Sequence, residues 1–235
     1  MNKLINILDK FEQNRKNWKG SQWDEKAVAE CFMPCAENIL LGGYFLVNDK
    51  YIIDLGAIEL YYHEEEGDIK DYIMYHIPER YCNTKSKVVK LENEKGINLP
   101  YFTFGSFNLH QSGVDVTFEM PKKYRASFLI RAYRVFLKGD DRVNDLSLPF
   151  DWCSTHIFDD MFYEGVSFKA TNIQWVELAK PITAKIENCP RKNTKFRILD
   201  KDKKGRYKIV TKEEIDFRPW QFQIEGINEK KKPSE

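Results

Sequence analysis

The sequence predicts a single α+β domain in which N-terminal helices flank a mostly antiparallel sheet. Amphipathic periodicity of the helical kind is found near the N-terminus, and residues 149–163 are a helix or a loop region. After residue 43, runs of β-branched and aromatic residues dominate, and they lack the regular strand–helix alternation of a parallel sheet. At 235 residues, with 42% hydrophobic and 14% aromatic content, the chain is long enough to bury one substantial core.

The N-terminal segment is predicted to be helical. Residues 3–17 place their apolar side chains on one side of a helix. Ser21 is predicted to cap a second helix over residues 23–33, and Pro34 should interrupt it because proline has no amide hydrogen to donate. A short helix over residues 35–41 follows. These patterns predict N-terminal helices over residues 1–34, an α+β domain over residues 35–226 and a disordered tail over residues 227–235.

Strands are predicted where apolar runs recur. Residues 44–47 and 51–61 form a hairpin around Asn48-Asp49-Lys50, and Gly56 marks a bulge in its second strand. GSFNLHQSG separates two further predicted strands and is a hairpin tip or a bulged connection. The other predicted strands and apolar runs lie at residues 101–104, 114–119, 127–137, 173–178, 194–199, 207–210 and 217–224.

Composition limits the classes of protein to which this chain can belong. No apolar run reaches the ~18 residues of a membrane span, and the N-terminus is too charged for a signal peptide. The five cysteines show no zinc spacing, so we expect no metal, and a reduced, cytoplasmic setting is the simplest interpretation. Net charge is only +1, yet residues 190–212 are strongly basic. That stretch is either a solvated hairpin or a set of phosphate contacts, for which the candidates are Arg191, Lys203, Lys204 and Arg206.

One acid stands out within the longest predicted strand. Glu59 lies inside the apolar run YIIDLGAIELYY, and Tyr61 shares its face because strand side chains alternate. A carboxylate on a largely buried strand is costly unless it is paired or used. Two interpretations stay open: a structural ion pair with Arg131 or Arg134, or a general base whose pKa is tuned by desolvation.

Several segments, taken in order, resemble the alkyladenine (3-methyladenine) DNA glycosylase family. AENILLGGYFLVNDKYIIDLGAIELYYHEE is similar to its opening helix, hairpin and Glu-x-Tyr strand. DYIMYH, FTFGSFNLHQSGVDVTF, SFLIRA, IQWVEL and FRPWQFQIEG resemble later landmarks of the family in the family's order. The likeness covers residues 35 to 226. It implies the family's α+β fold with a curved antiparallel sheet.

The resemblance also implies a function and a set of residues for it. The implied function is base excision repair by a monofunctional, cofactor-free glycosylase that flips a damaged base out of duplex DNA and hydrolyses its N-glycosidic bond. Glu59 would be the general base. The implied base pocket comprises Tyr61, His76, Leu129, Arg131 and Asp115, and the implied wedge hairpin carries Phe107, Leu109 and His110.

The chain departs from the family in the parts that contact DNA. Asp115 stands where the family has asparagine, the hairpin tip has no tyrosine, and residues 78–98 replace the family's Arg-Asn segment. We therefore expect duplex binding to be weak and sensitive to salt. The alternative is a module that keeps the fold, binds nucleic acid, a nucleobase or a protein, and has lost the chemistry. Substrate base and oligomeric state stay open.

Overall fold

In the part of the chain that the structure describes, two helices pack against an eight-stranded antiparallel sheet, and there is also a separate two-stranded hairpin. The computed structural model describes residues 2–20, 22–74, 77, 100–110, 113–152, 156–157, 172–191, 195–213 and 216–227. The helices are α1 (Asn2–Lys16) and α2 (Glu25–Leu41). The strands are β1 (Gly43–Val47), β2 (Tyr51–Glu64), β3 (Ser106–His110), β4 (Gly113–Thr117), β5 (Tyr124–Leu137), β6 (Ile173–Glu177), β7 (Ile186–Cys189), β8 (Lys195–Lys201), β9 (Tyr207–Glu213) and β10 (Gln221–Ile224). The predicted α+β class with an antiparallel sheet is confirmed.

Strand β2 is the centre of the sheet. It pairs with β5 along its whole length, and its other edge pairs first with β1 and then with β10. The order β3-β4-β5-β2-β1-β6 follows, with β7 continuing outward from β10. All fourteen residues of β2 are buried, so both faces of this strand are covered. Among the described strands, β8 and β9 pair with each other and with no other strand.

The main core lies between the helices and one face of the sheet. The ring of Phe11 on α1 makes edge-on contacts with Phe32 of α2 and with Tyr62 and Tyr124 of the sheet, at centroid distances of 5.5–6.0 Å. Aromatic pairs of this kind stabilise the fold by more than the burial of their apolar surface alone. The even-numbered side chains of the second half of β2 face this core, so its odd-numbered side chains, Glu59 among them, face the other way.

Helix α2 corrects two predictions. It runs without interruption from Glu25 to Leu41 and contains Pro34, so the predicted break at this residue is wrong. Nine buried side chains hold the helix against the sheet, and that packing outweighs the single backbone bond that proline removes. The N-cap is Asp24, whose carboxylate accepts the Ala27 amide hydrogen at 2.9 Å, and not Ser21. The predicted division at residues 34 and 35 falls inside α2.

The ladder between β2 and β5 contains two compensating irregularities. Gly56 is an extra residue on β2 between Leu55 and Ala57, as the sequence predicted, and Arg131 is an extra residue on β5. A Cβ atom at Gly56 would lie 2.5 Å from the Phe150 ring, which is why glycine occupies the bulge. Bulges change the direction in which side chains point. At the irregularity on β5, the Arg131 side chain points toward Glu59.

Two further predictions about the strands are corrected. Residues 101–104 do not form a strand; β3 begins at Ser106 and pairs with β4 in a hairpin. Strand β7 was not predicted. The part of the predicted tail from residue 228 onward lies outside the described residues. Among the residues that the structure describes, no helix is both long and apolar enough to cross a membrane.

Candidate functional site

Glu59 is fully buried on the sheet face that looks away from the helices. The Tyr61 hydroxyl donates a hydrogen bond to Glu59 Oε2 at 2.9 Å. Arg131 Nε lies 3.1 Å from Oε1 of the same carboxylate, in an ion pair that lacks the alignment of a hydrogen bond. Arg134, the other predicted partner, pairs instead with Asp54. The carboxylate is therefore held between one phenol and one guanidinium.

Several residues that the family resemblance singled out lie beside Glu59. Leu129 on β5 is the direct cross-strand partner of Glu59, and Asp115 on β4 is the next partner across the sheet. Direct partners of an antiparallel ladder project from the same face, so these side chains form one row. Tyr61 and Arg131 contact Glu59 itself. His76, also assigned to this pocket, lies outside the described residues.

A small apolar cluster covers part of this face. Tyr61 and Leu129 pack with Ile73, Met74 and Ile77, and Tyr72 and Val210 are packed against the cluster. Burial and the neighbouring charge of Glu59 raise the pKa of Tyr61 well above its ordinary value, so the phenol stays a hydrogen-bond donor. A substrate reaches Glu59 only if part of this cover moves.

Arg191 corrects a prediction, because it is buried and not a surface contact for phosphate. Its guanidinium binds the carboxylates of Asp71 and Asp216 and donates to the Leu60 carbonyl at 2.9 Å. It also lies 4.6 Å from the Tyr61 ring centroid and 5.0 Å from that of Trp220. Burial alone would raise the pKa of Asp71, but the guanidinium groups of Arg191 and Arg218 bring it below its usual value. Arg191 thus supports the tyrosine that binds Glu59.

The other three predicted phosphate contacts lie on the turn between β8 and β9. Lys203, Lys204 and Arg206 are exposed there, and Arg206 forms an ion pair with Asp202 at 2.8 Å. Val210 of the same hairpin packs against the cluster that covers Tyr61. The basic turn therefore belongs to an element that reaches the candidate site.

One of the three side chains predicted for the wedge hairpin packs against the core. The Phe107 ring, predicted for the wedge, packs against the core residue Phe45 with centroids 5.1 Å apart, so it is not a protruding tip. The side chains of Leu109 and His110, and residues 111 and 112, lie outside the described part of the structure. The prediction that Phe107 inserts into a base stack is therefore wrong.

A second carboxylate cluster occupies the same face nearer the end of β2. Arg125 lies 3.5 Å from Glu119 and 3.4 Å from Glu65, and its guanidinium sits 4.2 Å from the Tyr101 ring centroid. Glu119 also accepts the Phe102 amide hydrogen at 2.7 Å. Burial raises the pKa of Glu119 from 4.5 to about 7. The cluster ties residues 100–102 to the sheet.

Stability should therefore depend on pH through Glu119. Its folded pKa exceeds its unfolded value, so the folded protein binds the additional proton between pH 4.5 and 7 and loses stability as pH rises through that window. The loss amounts to about 3 kcal/mol. In urea unfolding at pH 5 and pH 8, Glu119→Gln should lack this component while the exposed variant Glu66→Gln should keep it. Equal pH dependence in wild type and Glu119→Gln would contradict the assignment.

Two polar residues beside Glu59 were missed by the sequence analysis. Gln221 on β10 is its direct partner on the other edge of β2, and Ser127 on β5 is the direct partner of Tyr61. Both side chains are 1% exposed. The available signal was the alternation in WQFQI, which places polar residues on one face of a strand, but the pairing of β10 with β2 was not predictable from it. Within the described part of the chain, no group of three His, Cys, Asp or Glu side chains is placed to hold a metal.

Comparison with known proteins finds no relative. No protein-family model, no curated protein and no solved structure matches the chain.

Proposed function

We propose that this chain is a diverged DNA-glycosylase-like hydrolase that cleaves the N-glycosidic bond of a flipped-out, damaged base. The observation that carries the proposal is the convergence around Glu59. The resemblance singled out positions on three strands, and those of Glu59, Leu129 and Asp115 form one cross-strand row, with Tyr61 and Arg131 in contact with the acid. Residues nominated one by one from sequence motifs thus lie together on one face.

The proposed chemistry uses the carboxylate as a general base. Glu59 takes a proton from a water molecule as the water oxygen bonds to the anomeric carbon. The bond from that carbon to the base nitrogen breaks, its electron pair leaves with the base, and a solvent proton neutralises the base. Arg131 is the ion-pair partner of the carboxylate at 3.1 Å, and the Tyr61 hydroxyl orients the carboxylate through the 2.9 Å hydrogen bond.

Access requires an opening of the site. Glu59 is fully buried, and Ile73, Met74 and Ile77 cover Tyr61 and Leu129 beside it, with Tyr72 and Val210 packed against them. Base flipping costs a few kcal/mol, and stacking of the base on Tyr61 or Tyr72 would offset part of that cost. The exposed lysines on the turn between β8 and β9 would supply weak, salt-sensitive phosphate contacts.

The test is release of free base from duplexes that carry alkylated or deaminated bases. Purified protein is incubated with a panel of such duplexes at low and physiological salt, and released base is quantified by chromatography. We expect release from at least one lesion, with less at higher salt. No release from any duplex, from the matching single strands or from modified nucleosides would overturn the hydrolase proposal.

A second candidate is a binding module that keeps this arrangement without turnover. The observation that favours it is the closed state of Glu59, which is fully buried and paired with Arg131. Buried ion pairs of this kind hold structure in many proteins that catalyse nothing. If the protein binds a duplex or a nucleoside but releases no base, the binding module is the correct function.

A further inference from the structure

A cavity of about 510 Å³ lies between the beginning of α2, the loop that follows β2 and the segment that precedes β10. Its volume is within the ~300–1,000 Å³ range of small-molecule sites. Tyr72, Ile73 and Phe217 supply its apolar lining, and charged side chains of both signs surround them. Glu59 is not among the described residues that line the cavity, so a ligand bound here does not engage the candidate base.

Hydrogen bonds tie the three walls of this cavity together. The Arg218 guanidinium donates to the Lys70 carbonyl at 3.1 Å, which joins the segment before β10 to the loop after β2. Trp220 Nε1 donates to the Glu25 carbonyl at 2.8 Å, which joins the same segment to α2. Asp216 is buried and binds Arg191 at 2.6 Å. The cavity is therefore fixed by the fold.

Phe217 presents a large apolar ring to solvent at this cavity. Its side chain is 77% exposed, although the preceding residue, Asp216, is 5% exposed and the residues on both sides are held by the bonds described above. Tyr72 is the second aromatic residue of the lining, and its ring makes an edge-on contact with His63 at a centroid distance of 6.0 Å. Aromatic side chains of this kind suit a planar heteroaromatic ligand, because every nucleobase has a π-face that can stack on them.

The charges of the cavity balance. Its described lining contains three basic and three acidic side chains, which are Lys26, Lys70 and Arg218 against Asp24, Glu25 and Asp216. Two of them, Arg218 and Asp216, form an ion pair with each other at 2.7 Å. A site without a surplus of positive charge does not favour a phosphate group. It suits an uncharged ligand better.

The cavity shares side chains with the cover of the Glu59 site. Ile73 packs in the cluster that contains Tyr61, and Tyr72 packs against that cluster. Both residues also line the cavity. A second connection runs through Asp216, since its partner Arg191 lies 4.6 Å from the Tyr61 ring centroid. A movement of Ile73 and Tyr72 that uncovers the candidate site would therefore also change the wall of the cavity.

We propose that this cavity binds a free, uncharged nucleobase, the product of the proposed hydrolysis, with Phe217 and Tyr72 as its stacking surfaces. The inference rests on the proposed function, which selects a base as the ligand. Hydrolysis separates the base from the sugar and its phosphates, and the balanced charge of the cavity matches the base alone. The ligand binds beside the Glu59 site and makes no contact with the carboxylate.

The probe is 2-aminopurine, a free base whose fluorescence falls when it stacks on an aromatic ring. Titration with wild-type protein should give saturable quenching that adenine reverses by competition, and the ribonucleoside 5′-monophosphate of 2-aminopurine should bind no more tightly than the base. Phe217→Ala should weaken binding by about five-fold or more, as expected when a stacking ring is removed. Leu137→Ala is the matched control, because Leu137 is also a large exposed apolar residue, at 56%, and is not in the described lining. Glu59→Gln should bind the probe as wild type does, and circular dichroism checks that each variant is folded.

The outcomes separate this inference from the proposed function. Absence of saturable quenching with wild type, or unchanged affinity in folded Phe217→Ala, would overturn the cavity as a base site. Tighter binding of the monophosphate, or loss of binding in folded Glu59→Gln, would overturn it as well. Binding that depends on Phe217, without release of base from any duplex, would support the cavity and overturn the hydrolase proposal alone. Release of base by a protein that does not bind 2-aminopurine would overturn the cavity alone.

Discussion

Replacing Glu59 with glutamine is expected to lower the rate of base release by about 10²–10⁴-fold, the usual contribution of a general base. Glutamine has nearly the same shape and can still accept the Tyr61 hydroxyl hydrogen, but it cannot take a proton from water. Single-turnover assays on the best duplex from the lesion panel measure the effect, because they isolate the chemical step from product release.

The matched control lies on the same strand. Glu64 is a buried carboxylate on the opposite, helix-facing side of β2, where it accepts hydrogen bonds from Trp23 and Tyr62. Glu64→Gln makes the same chemical change and should leave the rate of base release unaltered in folded protein. A similar rate for wild type and Glu59→Gln would remove Glu59 from the mechanism.

Replacing Arg191 with methionine should lower the free energy of unfolding by about 3–5 kcal/mol, because it leaves the Asp71 and Asp216 carboxylates buried without their cation. Methionine keeps much of the apolar contact with the Tyr61 and Trp220 rings, so the loss reports mainly on charge. Urea unfolding followed by circular dichroism measures it.

Arg206→Met is the control for the loss of an arginine ion pair at the surface. Its partner Asp202 lies four residues away, and the Arg206 side chain is 66% exposed. Exposed pairs contribute less than about 1 kcal/mol, so this variant should unfold close to wild type. If Arg191→Met were as stable as Arg206→Met, the buried cluster would not hold the fold as described.

The sequence predicted those features that depend on local pattern. The β-branched and aromatic run through Glu59 predicted the long strand β2, and alternation placed Tyr61 on the same face as the acid. The bulge at Gly56 followed from a glycine within an apolar run. Of the two ion-pair alternatives for Glu59, the structure has the one with Arg131.

The features that were missed depend on contacts between distant parts of the chain. Arg191 is buried because it meets Asp71, 120 residues earlier, and no property of a basic stretch indicates such a partner. Gln221 lies beside Glu59 only because the last strand returns to the edge of β2. Phe107 was assigned to a loop tip, but its alternation on β3 turns it toward Phe45. Local propensity also failed at Pro34, where packing of α2 prevails.

The paired irregularities at Gly56 and Arg131 constrain how this chain tolerates insertions and deletions during evolution. Each extra residue shifts the pairing of β2 with β5 by one residue. The two shifts are in opposite directions, so the register is the same on both sides of the irregularities. Loss of Gly56 alone would exchange inward and outward side chains over the first residues of β2. Loss of Arg131 alone would shift the pairing of β2 with β5 by one residue in the opposite direction. Loss of both residues together would restore the register, but it would also remove the ion-pair partner of the buried acid, so the length of the strands is coupled to the chemistry of the site.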